Sequence, residues 1–66
     1  MYISRSAVKK ILRGAGAERV GDDAMLALQT YLNRMAFSTA LRAVKLAKHA
    51  KRKTVSVSDI KLAAQE

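Results

Sequence analysis

The chain is 66 residues long and half hydrophobic, with 13 lysines and arginines against 5 acids and a formal charge of +8. It has no cysteine and one histidine, His49, so neither a disulfide framework nor a zinc site can supply the stability that so small a core lacks. What remains is a single all-α domain, residues 1–66, for which an obligate oligomer is the expected remedy and a very well packed monomeric bundle the alternative, and whose charge suits a polyanion such as DNA, RNA or anionic lipid.

Tyr2, Tyr31 and Phe37 are the only aromatic residues, so Leu, Ala and Val must build the core. The longest apolar run, Ala24 to Leu28, is far too short to cross a bilayer. No apolar signal-peptide core opens the chain, and the absence of cysteine fits a reducing compartment, so a cytoplasmic protein is expected.

Met1 to Ile3 is either a short ordered lead-in or a fraying end. Ser4 or Ser6 can cap a first short helix, with Ala7, Val8, Ile11 and Leu12 inward and Arg5, Lys9, Lys10 and Arg13 outward. Gly14 and Gly16 end it, because glycine accepts the left-handed conformation that closes helices. Ala17 to Val20 is a loop, after which Gly21 or Asp22 caps the stretch that dominates the chain.

From Asp22 to about Ala50 there is no glycine or proline, and good helix formers prevail. At roughly 100° per residue Leu28, Leu32, Met35, Thr39, Ala43, Leu46 and Ala50 fall on one stripe. Two acids open the stretch, and Arg42, Lys45, Lys48 and His49 close it, as the helix dipole prefers. One helix on the order of 40 Å long is predicted. It cannot bury its stripe against its own short flanks, so Leu28, Leu32 and Met35 are assigned to a dimer core. Lys51 to Thr54 is a basic loop. A third helix follows, with Ser56 as N-cap, Asp59 three residues on as in a capping box, and Val55 and Ile60 placed for a hydrophobic staple. Ile60, Leu62 and Ala63 are expected to face inward. No acid occurs between Asp23 and Asp59, so the basic character is regional as well as global.

Ala15-Gly16-Ala17-Glu18-Arg19-Val20 with Asp22-Asp23-Ala24 is one motif that resembles archaeal histones. A second is Lys45-Leu46-Ala47-Lys48-His49-Ala50 with Arg52-Lys53-Thr54 and Asp59-Ile60. The similarity spans essentially the whole chain without a gap. It implies a tail-less histone fold (short helix, long central helix, short helix) in a handshake homodimer. There the long helices cross near Met35, and the first loop of one protomer lies beside the second loop of its partner.

The resemblance also assigns sites. Arg19 would enter the minor groove of double-stranded DNA where that groove faces the protein, the mode of histone wrapping in general. Lys53 and Thr54 suit phosphate oxygens, contacts that position without specifying sequence. Lys9, Lys10 and Arg13 share a face of the first helix and add phosphate contacts, together with amides at helix N-termini. Lys10 stands where the family favours arginine, keeping the charge without the planar fork. Arg52 and Asp59 resemble the family's intrachain ion pair. Leu46, His49, Asp59 and Leu62 match the residues through which two dimers join as a tetramer. Asp59 is thereby claimed as cap, as partner of Arg52 and as partner of His49; two of these roles fit one carboxylate easily and three crowd it.

Three departures from the family stand out. Lys51 replaces the usual glycine after the long helix; either it is left-handed, at about 1 kcal/mol relative to glycine, or the loop is reshaped. Phe37 and Leu41 lie on the flank away from the stripe, where relatives tend to be polar, as bland surface or as an added contact. Arg34 and Lys45 have no acid to answer them, so the charge pairs that let relatives stack into fibres are missing, although Gly16 is present for close approach.

The reading that results is an architectural protein of the nucleoid that wraps or bends duplex DNA as a dimer or tetramer. The alternative is a histone-fold module pairing with a different chain in a transcription or repair assembly. A cationic amphipathic helix acting on membranes fits poorly, because the bases lie in loops and short helices as much as along the long helix. No enzyme, cofactor, metal or small-molecule substrate is expected: one histidine, adjacent acids that diverge and no phosphate-loop glycines leave no catalytic constellation.

Overall fold

Ser4 has extended backbone (φ −74°, ψ 155°), and its hydroxyl accepts the Ala7 N–H at 3.1 Å, starting α1 (Arg5–Gly14) in the computed structural model. The structure describes residues 1–65. Among them α2 (Asp22–His49) and α3 (Val57–Ala64) complete the short–long–short order, with no strand. The chain divides into two compact units, Met1–Arg34 and the remainder from Met35.

In the first unit Val8 of α1 and Met25 and Gln29 of α2 are buried. The lead-in is ordered by two polar residues one turn apart on α2. Asn33 Oδ1 accepts the N–H groups of Tyr2 (2.8 Å) and Ile3 (2.9 Å), and Gln29 Nε2 donates to the Ile3 carbonyl at 2.8 Å. Asn33 Nδ2 donates in turn to the Gln29 carbonyl. Buried or half-buried amides are thus satisfied rather than stranded. Arg5 reaches Asp22 at 3.3 Å, an exposed pair of little energetic weight. Helix α1 runs through Gly14 and closes at Gly16 (φ 112°). There Ala17 N–H donates to the Leu12 carbonyl and Gly16 N–H to that of Arg13, the Schellman arrangement.

The second unit buries Ala43 and Ala47 of α2 with Asp59 and Ala63 of α3. Three alanines in that set let backbones approach closely. Arg42 locks the arrangement: its Nε and Nη2 donate to the Ala63 carbonyl (3.1 and 3.0 Å), while Nη1 donates to Ser38 Oγ at 2.7 Å. Arg42 therefore serves the open carbonyl end of α3, in addition to sitting late in α2. At the end of α2 the same Schellman pair recurs, from Arg52 N–H to the Ala47 carbonyl and from Lys51 N–H to that of Lys48, both 2.9 Å. Lys51 carries the left-handed residue (φ 60°), so the turn keeps its shape at the lysine's expense. Lys51→Gly is expected to stabilise the protein by about 1 kcal/mol, read as a higher thermal midpoint at fixed protein concentration. An unchanged or lower midpoint would show that the lysine is unstrained there.

Three residues expected to face inward do not do so within the chain. Ile11, Ile60 and Leu62 are 53%, 43% and 51% exposed. Helical spacing separates an apolar face from a polar one but does not say which chain covers it. Each short helix buries only a narrow strip: Val8 on α1, and Asp59 and Ala63 on α3. Of the buried apolar residues only Val8 and Met25 are larger than alanine, while Met35 and Tyr31 are about half exposed. That is far too little core to order a chain of this length unaided.

Candidate nucleic-acid interface

The second loop is held by one carboxylate. Asp59 Oδ1 accepts Arg52 Nη2 at 2.7 Å and Oδ2 accepts Arg52 Nη1 at 2.8 Å, a bidentate fork. Oδ2 also accepts the Ser56 N–H at 2.8 Å, and Ser56 Oγ accepts the Asp59 N–H at 3.4 Å, which closes the capping box foreseen for α3. Arg52 Nη1 donates further to the Thr54 carbonyl at 3.1 Å, so the guanidinium clamps the loop backbone between the two helices.

These contacts set the charge state. The Arg52 hydrogen bonds, then that from the Ser56 N–H, hold the Asp59 carboxyl well below the usual carboxylate range against the opposing effect of desolvation. Hydrogen bonding to Asp59 raises Arg52 correspondingly. A depressed carboxyl stabilises the folded state fully above its unfolded value, ~4, and loses that contribution as pH falls below it. The thermal midpoint is therefore expected to drop between pH 5 and pH 3. In Asp59→Asn it should begin several degrees lower at pH 7 and fall less over the same interval. Equal acid slopes for the two proteins would contradict the pair's role.

Lys51, Lys53 and Thr54 are exposed in the loop, as is Arg52, although its guanidinium is turned to Asp59. Arg19 is exposed in the first loop, and Lys9, Lys10 and Arg13 are exposed along α1. None of Lys9, Lys10, Arg13, Arg19 or Lys53 forms an ion pair among the described residues. Cations held at the surface by rigid helices and closed turns, with their charge unanswered, can meet phosphates without first breaking internal pairs. Of the residues assigned to dimer–dimer contact, His49 and Leu62 are exposed and Leu46 is half-buried. The side chain of Asp59 is only 6% exposed, with both oxygens already engaged. Leu28 and Leu32 are half-buried, and Met35 is more open.

Sequence reasoning missed Gln29, Asn33 and Arg42 as structural polar residues. The only signal was their position: Gln29 and Asn33 lie i,i+4 on α2, within reach of any segment crossing that turn. No described helix is long and apolar enough to cross a membrane, and no group of three metal-ligating side chains occurs among the described residues.

Comparison with known proteins gives consistent relationships. The model of a family described as histone-like transcription factor (CBF/NF-Y) and archaeal histone matches residues 1–64. The chain is 43% identical over 58 residues to one of the subunits of archaeal histone HAN1 from Thermococcus zilligii, covering 88% of this chain and 87% of that one. It is 48% identical over 54 residues to probable archaeal histone 3 of Methanocaldococcus jannaschii, covering 82% and 81%.

Proposed function

This chain belongs to the family of histone-like transcription factors and archaeal histones, and from that premise we propose that it compacts duplex DNA by wrapping or bending it as a dimer or tetramer. The family is one of structural DNA-binding chromatin proteins rather than enzymes. In this reading residues 1–66 form one histone-fold domain whose core is completed by a handshake with a second copy. Leu28, Leu32 and Met35 meet the partner helix. Arg19 of one protomer then lies near Lys53 and Thr54 of its partner, and Lys9, Lys10 and Arg13 extend the basic path. Leu46, His49 and Leu62 join dimer to dimer. Asp59 contributes there chiefly by holding Arg52 and the second loop, since its carboxylate has little surface left. The protein works on the chromosome, in the nucleoid of the cytoplasm.

The observation that carries this reading is the set of exposed bases on α1 and both loops that form no ion pair among the described residues, in a chain without an acid between Asp23 and Asp59. Sequence-independent contact is the consequence, because phosphates carry no base code. Lys53→Ala is expected to weaken binding equally on unrelated sequences and to lower the salt slope by roughly 1 for each chain in the complex. Fluorescence anisotropy at several salt concentrations measures both. An unchanged slope would remove Lys53 from the interface. Nuclease digestion of the DNA complex separates wrapping, which leaves discrete protected lengths, from bridging, which does not.

A second reading draws on the Thermococcus zilligii relative, which is named as one subunit of a histone: the chain pairs with a different histone-fold chain. Sedimentation of the pure protein decides between them, because a stable homodimer argues against an obligatory different partner.

A further inference from the structure

Phe37 and Leu41 stand one turn apart on the second half of α2 and are 52% and 48% exposed. At 100° per residue each lies about 160° around the helix from Thr39, on the stripe assigned to the second copy. Ala43 and Ala47, which the chain itself buries, lie about 40° and about 80° around the helix from Thr39, also away from Phe37 and Leu41. Packing within the chain thus leaves about half of each side chain open, and the handshake stripe lies on the other side of the helix. The same flank continues into Lys45 and Lys48, both exposed.

We propose that this flank is a docking surface for an acidic, apolar-faced segment of another protein. Phe37 and Leu41 receive apolar side chains, and Lys45 and Lys48 answer carboxylates one to two turns further on. The charge pattern selects the occupant. Among the described residues of this unit the one carboxylate is Asp59, which is buried and bound to Arg52, so the flank is cationic without compensation. A second copy, with 5 acids against 13 lysines and arginines, offers few carboxylates to answer Lys45 and Lys48. Duplex DNA matches the lysines, but its phosphates leave the aromatic ring and the leucine in water. A helix with leucines on one face and glutamates beside them satisfies both halves of the surface. It does so with an aromatic residue near the centre and charges at the rim, the usual anatomy of a protein interface.

The test uses the full-length protein free of DNA and a synthetic amphipathic peptide, leucine on one face and glutamate on its borders. Binding is followed by NMR titration and fluorescence anisotropy. The expected result is saturable binding with the largest shifts at Phe37, Leu41 and Lys45. Phe37→Gln with Leu41→Gln should weaken it by about tenfold or more while leaving DNA affinity unchanged. A peptide with its leucines replaced by glutamine should bind the original protein as weakly. Equal binding by the doubly substituted protein would overturn the proposal, since charge alone would then suffice. It would be overturned as well if the double substitution chiefly reduced self-association beyond the dimer, or chiefly reduced DNA affinity, because the occupant would then be a second copy or nucleic acid.

Discussion

Affinity for random-sequence duplex DNA is expected to fall by roughly three orders of magnitude or more between about 50 and about 200 mM salt. Lys9, Lys10, Arg13, Arg19 and Lys53 are exposed in each chain and tied to no carboxylate among the described residues, and a twofold dimer presents two sets. If about six of these cations each displace a condensed counterion, the logarithm of affinity falls with a slope near −5 against the logarithm of salt concentration. Specific base contacts would add a component insensitive to salt. Anisotropy titrations with two unrelated duplexes should give the same steep slope and similar affinities. Salt-indifferent binding would exclude the phosphate-dominated mode.

The largest effect on the protein itself is expected from Leu32→Asp. Leu32 is half-buried in the single chain and central to the stripe that α2 cannot cover with its own flanks. In a twofold dimer the substitution places two carboxylates at the seam, with no cation on that stripe to pair them. Each costs several kcal/mol when taken out of water unpaired, and a small domain has only ~5–15 kcal/mol to lose. Dimer and helical signal should vanish together at micromolar concentration, whereas Phe37→Gln, on the opposite flank, should leave both intact. A Leu32→Asp protein that sediments and melts like the original would remove that residue from the seam.

What could be read from the residues follows a physical boundary. Local chemistry was legible: the uninterrupted run from Asp22, the Ser56–Asp59 capping box and the stop near Gly16 all depend on neighbours within one turn. The Arg52–Asp59 fork was legible through the family pattern and formed as expected. Which serine capped α1 was open, because Ser4 and Ser6 are equivalent by type and only the path of the lead-in selects Ser4. Ile11, Ile60 and Leu62 were assigned to an interior that one chain does not possess. Periodicity reports that a face is apolar, while burial depends on how many chains are present. The roles of Gln29, Asn33 and Arg42 were hidden because each bonds to backbone carbonyls or amides distant in sequence. A polar residue on a long helix carries no mark of that until the fold brings the backbone to it.

The clasp between two copies is tested most directly by sedimentation equilibrium and far-ultraviolet circular dichroism on one dilution series. The mass of a dimer at high concentration is expected, with helical signal and dimer lost together on dilution and a thermal midpoint that rises with protein concentration. A monomer that keeps its full helical signal, and melts at the same temperature at every concentration, would contradict it.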